Sequence, residues 1–153
     1  MSTSFVPGDA RHLNDMEFRQ MCREFSKREI GPRWEEAEKQ SRFPRELYER
    51  AAEANLFGVA APEHIGGAGL GCMHEIICIE EAARINPTLA ALFLVQNLTI
   101  SMLVSLGSED HLEIARRCIN GDCLLSFAVT EPDAGNDLNV KTSAVHEGSD
   151  WVL

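Results

Sequence analysis

An all-α body that runs into the first strands of a β region is the fold the sequence predicts, and three observations predict it. Apolar residues recur at helical spacing in successive segments before Gly121. Helix-capping residues and glycine or proline stops bracket those segments. After Gly121 the pattern changes to short apolar runs between turn residues, the pattern of strands.

The first helix begins at Asn14, a good N-cap. Glu17 follows at the capping-box position, and Leu13 and Phe18 are placed for a hydrophobic staple. Phe18, Met21, Cys22 and Phe25 then form one apolar stripe. Gly31-Pro32 is expected to break this helix near Ile30, with Pro32 opening a short second helix to Lys39. A third helix fits Pro44 to Asn55, with Leu47, Ala51 and Ala54 on one face. The glycines at 66, 67, 69 and 71 rule out regular helix there. A fourth helix follows from Cys72 to Ile85 and stops at Asn86-Pro87. The fifth, Thr88 to Leu106, is apolar nearly all round, as expected of a helix packed on several sides. Gln96, Asn97, Thr99 and Ser101 interrupt it, which favours a buried helix over a membrane span.

The sixth helix carries the fullest set of signals. Ser108 caps it, Glu109 and Asp110 lie at its positive end, Arg116 and Arg117 at its negative end, and Asn120-Gly121 closes it. Leu124–Val129 then reads as a strand, with Thr142–Val145 and Trp151–Leu153 as further strand beginnings. Two or three strands do not make a stable sheet alone. The expected division is an all-α domain over residues 1–121 and the incomplete opening of a β domain over 122–153.

The chain has 153 residues, 44% hydrophobic and 25% charged, which places it among ordinary globular proteins. Its net charge of −10 argues against a nucleic acid or an anionic membrane surface as partner. The five cysteines are odd in number and contain no CxxC, so they read as reduced thiols of an intracellular protein. The first fifteen residues contain no apolar stretch and one arginine, unlike a secretory signal or a mitochondrial presequence.

The segment with most chemical content is Phe127-Ala-Val-Thr-Glu-Pro-Asp-Ala-Gly-Asn-Asp137. It reads as a strand that runs into a turn at Pro132 and Gly135, leaving backbone N–H groups and the Thr130 hydroxyl available to a ligand. Such a construction suits hydrogen bonds to the carbonyl and ring nitrogen atoms of a flat heterocycle. Other segments favour structural readings. Gly66–Gly71 fits neither GxGxxG nor a P-loop and reads as a tight turn between helices. His74 and Cys78 share a helix face, but with Cys118 and Cys123 they meet no recognised zinc spacing, so no metal site is expected. Glu80-Glu81 reads as a solvated helix face with Arg84 nearby rather than a paired-carboxylate acid/base site. Cys22, Cys72 and Cys78 read as small packing residues. His12, His64, His111 and His146 have no sequence neighbours that suggest a nucleophile–base pair. Gln96 and Asn97 are expected to pair with backbone or water in the core, the alternative being that one sets the polarity or depth of a pocket.

The segment from Phe127 to Asp137 closely resembles the flavin-binding signature of the acyl-CoA dehydrogenase family. The stretch Ala60–Gly71, the Glu80-Glu81 helix and Gly107-Ser-Glu-Asp110 are similar to that family's landmarks in order and spacing. The resemblance implies an all-α N-terminal domain followed by the opening strands of a middle β-barrel or β-sandwich domain, with the C-terminal helical bundle absent. It implies FAD as cofactor, with Phe127, Ala128, Val129 and Thr130 at the isoalloxazine ring and a hydrogen bond from Thr130. Gly135 and Asn136 match the end of the flavin- and acyl-CoA-binding turn. The family usually has Ser or Thr at Asn136, and the 137–142 segment looks one residue shorter than usual. The family's catalytic carboxylate base lies beyond residue 153.

The function implied is α,β-dehydrogenation of acyl-CoA thioesters by the complete enzyme, to which this chain contributes part of the flavin and acyl-CoA site. Expected partners are the acyl-CoA substrate, an electron acceptor such as electron transfer flavoprotein, and further copies in a dimer or tetramer. The expected location is cytoplasmic, or the mitochondrial matrix in a eukaryote. The competing readings are an acyl-CoA oxidase or nitroalkane-oxidase-like enzyme of the same fold, and a non-catalytic helical module or partner subunit.

Overall fold

A computed structural model of the chain describes residues 13–132, 135 and 140–153. Helix α1 spans Asp15–Phe25, α2 Gly31–Lys39, α3 Arg45–Glu53, α4 Cys72–Ala83, α5 Pro87–Leu106 and α6 Glu109–Ile119. A short 3-10 turn covers Glu63–Ile65. Strands β1 (Val145–Glu147) and β2 (Asp150–Val152) pair antiparallel, with His146 opposite Trp151.

The local signals explain most boundaries. The Asn14 side chain accepts from the Met16 and Glu17 amides, and the Glu17 carboxylate accepts from the Asn14 amide, a complete capping box. Ser108 caps α6 through the His111 amide. Gly121 ends the turn after α6 with φ +87°, and a Cβ there would stand 2.9 Å from that of Ala52.

The expected break at Gly31-Pro32 does not occur. Ser26–Ile30 forms a π-helical turn, in which the Gly31 amide reaches the Ser26 carbonyl, and helical backbone continues into α2. A wider turn accommodates a residue without an N–H. The Arg33 guanidinium takes the neighbouring carbonyls, donating to Glu29 at 3.1 Å and Arg28 at 3.4 Å.

The core is strung on aromatic rings. Tyr48 stacks on Phe57 at 4.6 Å between centroids, Phe57 meets Phe93 at 5.7 Å, and Phe93 meets Phe25 edge-on at 6.4 Å. This row ties α3, the loop after it, α5 and α1 together. Each ring is fully buried or nearly so, worth roughly 1.5–3 kcal/mol per side chain.

Asn97 fixes the same region by hydrogen bonds. Its Oδ1 accepts from the Gly58 amide at 2.8 Å and the Val59 amide at 3.1 Å. Its Nδ2 donates to the Leu56 carbonyl at 3.1 Å and the Phe93 carbonyl at 3.0 Å. The expected pairing of this buried amide with backbone is therefore what the fold uses. Helix α5 is long enough to cross a bilayer by length and composition, with a mean hydropathy of 1.9. Its bonded Gln96 and Asn97 and its packing against α4 and α6 make it a core helix instead. It is not covered on all sides: Leu94, Leu98, Met102 and Leu106 form an exposed apolar stripe.

Glu81 overturns the expectation of a solvated acidic face. Its side chain is wholly buried and receives Arg23 through two bonds of 2.9 and 3.0 Å and Arg19 through one of 2.8 Å. The salt bridge joins α4 to α1, while Glu80 stays half-exposed and also meets Arg19. Arg84, expected near Glu80, stands 3.9 Å from Glu81. Hydrogen bonds from Arg23, and then from Arg19, outweigh burial and hold the Glu81 carboxyl down at about 2.

Two predictions follow from these contacts. A depressed folded-state pKa stabilises the fold above the unfolded carboxylate value of about 4.3, and that stabilisation is lost as pH falls towards 2. Denaturant midpoints measured from pH 7 to pH 2 should show this acid loss in the wild type and less of it in Glu81→Gln; parallel acid profiles would contradict the assignment. Asn97→Leu should lower stability by about 3 kcal/mol, because the Gly58, Val59 and Leu56 backbone groups lose their buried partner. A midpoint within about 0.5 kcal/mol of wild type, the scatter of an innocuous surface change, would remove Asn97 from this role.

Candidate functional site

The segment expected to meet a ligand leaves the helical body just after α6, and buried side chains hold its start. Gln96, 2% exposed in the middle of α5, donates from Nε2 to the Leu125 carbonyl at 2.8 Å. Its Oε1 accepts from the Leu125 amide at 3.0 Å and from the Cys118 thiol at 3.2 Å. Tyr48 donates to the carbonyls of Cys118 and Cys123. Burial pushes the Tyr48 hydroxyl far above its ordinary range and the Cys118 thiol up to about 11, so both stay protonated donors near neutrality.

Beyond Leu125 the chain turns outward. Phe127 is 39% exposed, Ala128 and Thr130 are exposed and Val129 is half-buried. The expected strand Leu124–Val129 is not formed among the described residues, because Leu125 pairs with a side chain rather than with a neighbouring strand. The expected strand starts at Thr142 and Trp151 become β1 and β2, which begin at Val145 and Asp150. Among the described residues, no hydrogen bond engages the Phe127–Thr130 backbone or the Thr130 hydroxyl. Backbone donors and acceptors that find no partner among the described residues thus lie beside an exposed aromatic ring, a donor set that fits the edge of a flavin ring. Gly135 is exposed, with open space where a Cβ would stand. Asn136 lies outside the described residues.

Glu131 is the site residue that sequence reasoning passed over. Its carboxylate accepts from the Lys141 amide at 2.8 Å, the Thr142 amide at 2.7 Å and the Thr142 hydroxyl. These bonds, the Thr142 hydroxyl first, lower its pKa, and they tie Glu131 to Lys141 and Thr142. A carboxylate placed directly before Pro132, in a stretch with the turn residues Pro132 and Gly135, was the available signal, since such groups commonly accept turn amides.

Helix α5, which anchors the start of this segment through Gln96, also presents an exposed apolar surface. Leu98, Ser101, Met102, Ser105 and Leu106 line a shallow apolar groove of about 320 Å³. The stripe extends toward the N-terminus through Leu94, which is 49% exposed and stands two residues, about half a helical turn, from the buried Gln96 that anchors Leu125.

The remaining candidates resolve into packing. In the glycine-rich loop, the amides of Gly66 through Leu70 all donate to carbonyls between Gly58 and Glu63, so none lines an anion site. Gly67 is required because a Cβ there would lie 2.1 Å from the Ala61 carbonyl oxygen. His74 packs edge-on against Phe18 at 5.0 Å, with Nε2 3.4 Å from Asp15. Cys78 is a free, buried thiol; hydrogen bonding with the Cys22 thiol, and then burial, raise its pKa well above the ordinary value, which suits a packing thiol. Cys72, expected in packing, is instead exposed at the start of α4. Among the described residues no three His, Cys, Asp or Glu side chains gather to hold a metal ion.

Comparison with known proteins identifies the helical body. Residues 14–114 match the family described as acyl-CoA dehydrogenase, N-terminal domain. The mitochondrial long-chain specific acyl-CoA dehydrogenase of Rattus norvegicus is 34% identical over 138 residues, covering 89% of this chain and 32% of that protein. The caffeyl-CoA reductase-Etf complex subunit CarC of Acetobacterium woodii is 32% identical over 139 residues, covering 88% of this chain and 37% of that protein. A crystal structure from Mycobacterium abscessus, described as a "probable acyl CoA dehydrogenase", superposes with a TM-score of 0.80 at 31% identity, covering 92% of this chain and 39% of that one. The chain thus spans about a third of the length of these curated relatives. The matched family profile, these relatives and the shared helical body together establish that the chain belongs to the acyl-CoA dehydrogenase family.

Proposed function

We propose that this chain is the N-terminal part of an FAD-dependent acyl-CoA dehydrogenase, contributing one wall of the flavin site and one wall of the acyl site. The observation that carries this reading is the outward-facing Phe127–Thr130 segment, whose backbone makes no hydrogen bond among the described residues and whose start is bonded to α5. FAD, when bound, supplies the hydride acceptor for α,β-dehydrogenation of an acyl-CoA thioester. Thr130 donates a hydrogen bond to the isoalloxazine ring, and Phe127, Ala128 and Val129 cover the ring edge against water. The Leu94, Leu98 and Met102 stripe faces the acyl chain. It presents methylene-friendly surface without a charge, as an alkyl or aryl thioester tail requires. Gly135 and Asn136 belong to the turn that meets flavin and substrate, with Asn136 in place of the family's usual hydroxyl.

The division into an all-α domain over 1–121 and the opening of a β domain over 122–153 is part of the same proposal. It accords with the helices ending at Ile119 and with a hairpin whose strands are exposed throughout. The acceptor we propose for the reduced flavin is an electron transfer flavoprotein, in keeping with the Etf-complex membership in the name of the Acetobacterium relative. That relative's name as a reductase also indicates a second reading, in which the same site works towards the saturated thioester. Mitochondrial relatives of similar identity support a matrix location in a eukaryotic cell.

Thr130→Val in the complete enzyme tests the assignment. The side chains are similar in size and Thr130 is exposed, so the fold should persist while flavin reduction by an acyl-CoA slows roughly 5- to 150-fold. That range corresponds to one lost bond of about 1–3 kcal/mol that strengthens as the ring gains electron density. A wild-type reduction rate with an unshifted flavin spectrum would refute it. Residues 1–153 alone should show no flavin reduction by acyl-CoA thioesters, and turnover above background would refute the proposed division of the site.

A further inference from the structure

We infer that Gln96 is a positioning residue for the proposed flavin-binding segment, setting where Phe127–Thr130 stands relative to the acyl-facing stripe of α5. The inference rests on the flavin reading given above. The amide of Gln96 engages both polar groups of Leu125, two residues before Phe127, at 2.8 and 3.0 Å. Its third bond, from the Cys118 thiol at 3.2 Å, holds the amide in the orientation that Leu125 needs. Tyr48 fixes the Cys118 and Cys123 carbonyls from the other side. The exit from the helical body is thus held at three successive points, Cys118, Cys123 and Leu125. Of the two side chains that hold these points, Tyr48 and Gln96, Gln96 is the one on α5.

The placement of Gln96 in the helix links two surfaces. Leu94 and Leu98 lie two residues to either side and belong to the exposed stripe, while Gln96 itself is buried. One rigid turn of α5 therefore carries both the acyl-facing side chains and the amide that anchors the flavin-facing segment. A ring held by Phe127–Thr130 and a thioester lying on Leu94 and Leu98 have a separation set through Gln96. Hydride transfer is sensitive to that separation, since misplacement by about 1 Å costs on the order of 100-fold in rate. Nothing in this role requires Gln96 to touch flavin or substrate.

Gln96→Met in the complete flavoenzyme is the direct test, because Met keeps the length and removes all three bonds. The expected result has three parts. Amide exchange in peptides covering 122–129 rises at least about 10-fold, while peptides covering 88–95 exchange as in the wild type. The flavin absorption spectrum shifts. The rate of flavin reduction at saturating acyl-CoA falls about 10-fold, with KM changed less than the rate. Gln96→Glu provides the companion variant should Gln96→Met not fold. Its carboxyl, when protonated, donates to the Leu125 carbonyl as the amide did. The ratio of its reduction rate to that of the wild type should therefore recover as pH is lowered.

Faster exchange at 122–129 with an unshifted flavin spectrum and a wild-type reduction rate would overturn the positioning role and leave Gln96 as a packing residue. Unchanged exchange in Gln96→Met, or a wild-type ratio for Gln96→Glu at a pH where its carboxyl is ionised, would overturn it as well. A wild-type enzyme whose flavin is not reduced by any acyl-CoA would instead overturn the proposed activity, and the exchange result would still decide whether Gln96 holds Leu125.

Discussion

Two neighbouring amides in the middle of α5 carry the constraint on which the rest of the structure depends. Asn97 binds four backbone groups and fixes the loop after α3 against the helix. Gln96 binds Leu125 and the Cys118 thiol and fixes the chain after α6. A helix of mean hydropathy 1.9 could slide or rotate among apolar neighbours with little penalty. Buried amides remove that freedom, since a shift leaves backbone groups without partners in a region that water does not reach. The aromatic row from Tyr48 to Phe25 fills the space, and the amides fix the register.

The helical body was legible in the sequence because its signals are local. The capping box at Asn14 and the Ser108 cap act within four residues of themselves, and the structure shows both. The passage through Gly31-Pro32 was not legible. Whether a proline ends a helix depends on what takes the carbonyls it leaves, and here that is Arg33 in a wider turn. The burial of Glu81 was hidden for a similar reason. Its partners Arg19 and Arg23 are about sixty residues distant in the chain, so no spacing rule reveals them. The exposed stripe on α5 reads as core by composition, and only the packing shows which side the helical body leaves open.

The candidate site divides along the same line. The segment from Phe127 to Asp137 was recognisable as a motif, because its chemistry lies in consecutive residues. What places it was not recognisable, because Gln96 and Leu125 are 29 residues apart and meet only in the fold. Glu131 shows an intermediate case: it stands inside the motif, but its partners Lys141 and Thr142 lie 10 and 11 residues further along the chain. Local chemistry is written in the sequence here, and its orientation is written in long-range polar contacts.

The measurement that bears most directly on this account is a crystal structure of the complete protein with flavin bound. The Thr130 hydroxyl is expected within about 3 Å of a polar atom of the isoalloxazine ring. The Gln96 amide is expected still bonded to both polar groups of Leu125. A flavin ring seated away from Phe127–Thr130, or a segment released from Gln96 when the ring binds, would contradict this arrangement.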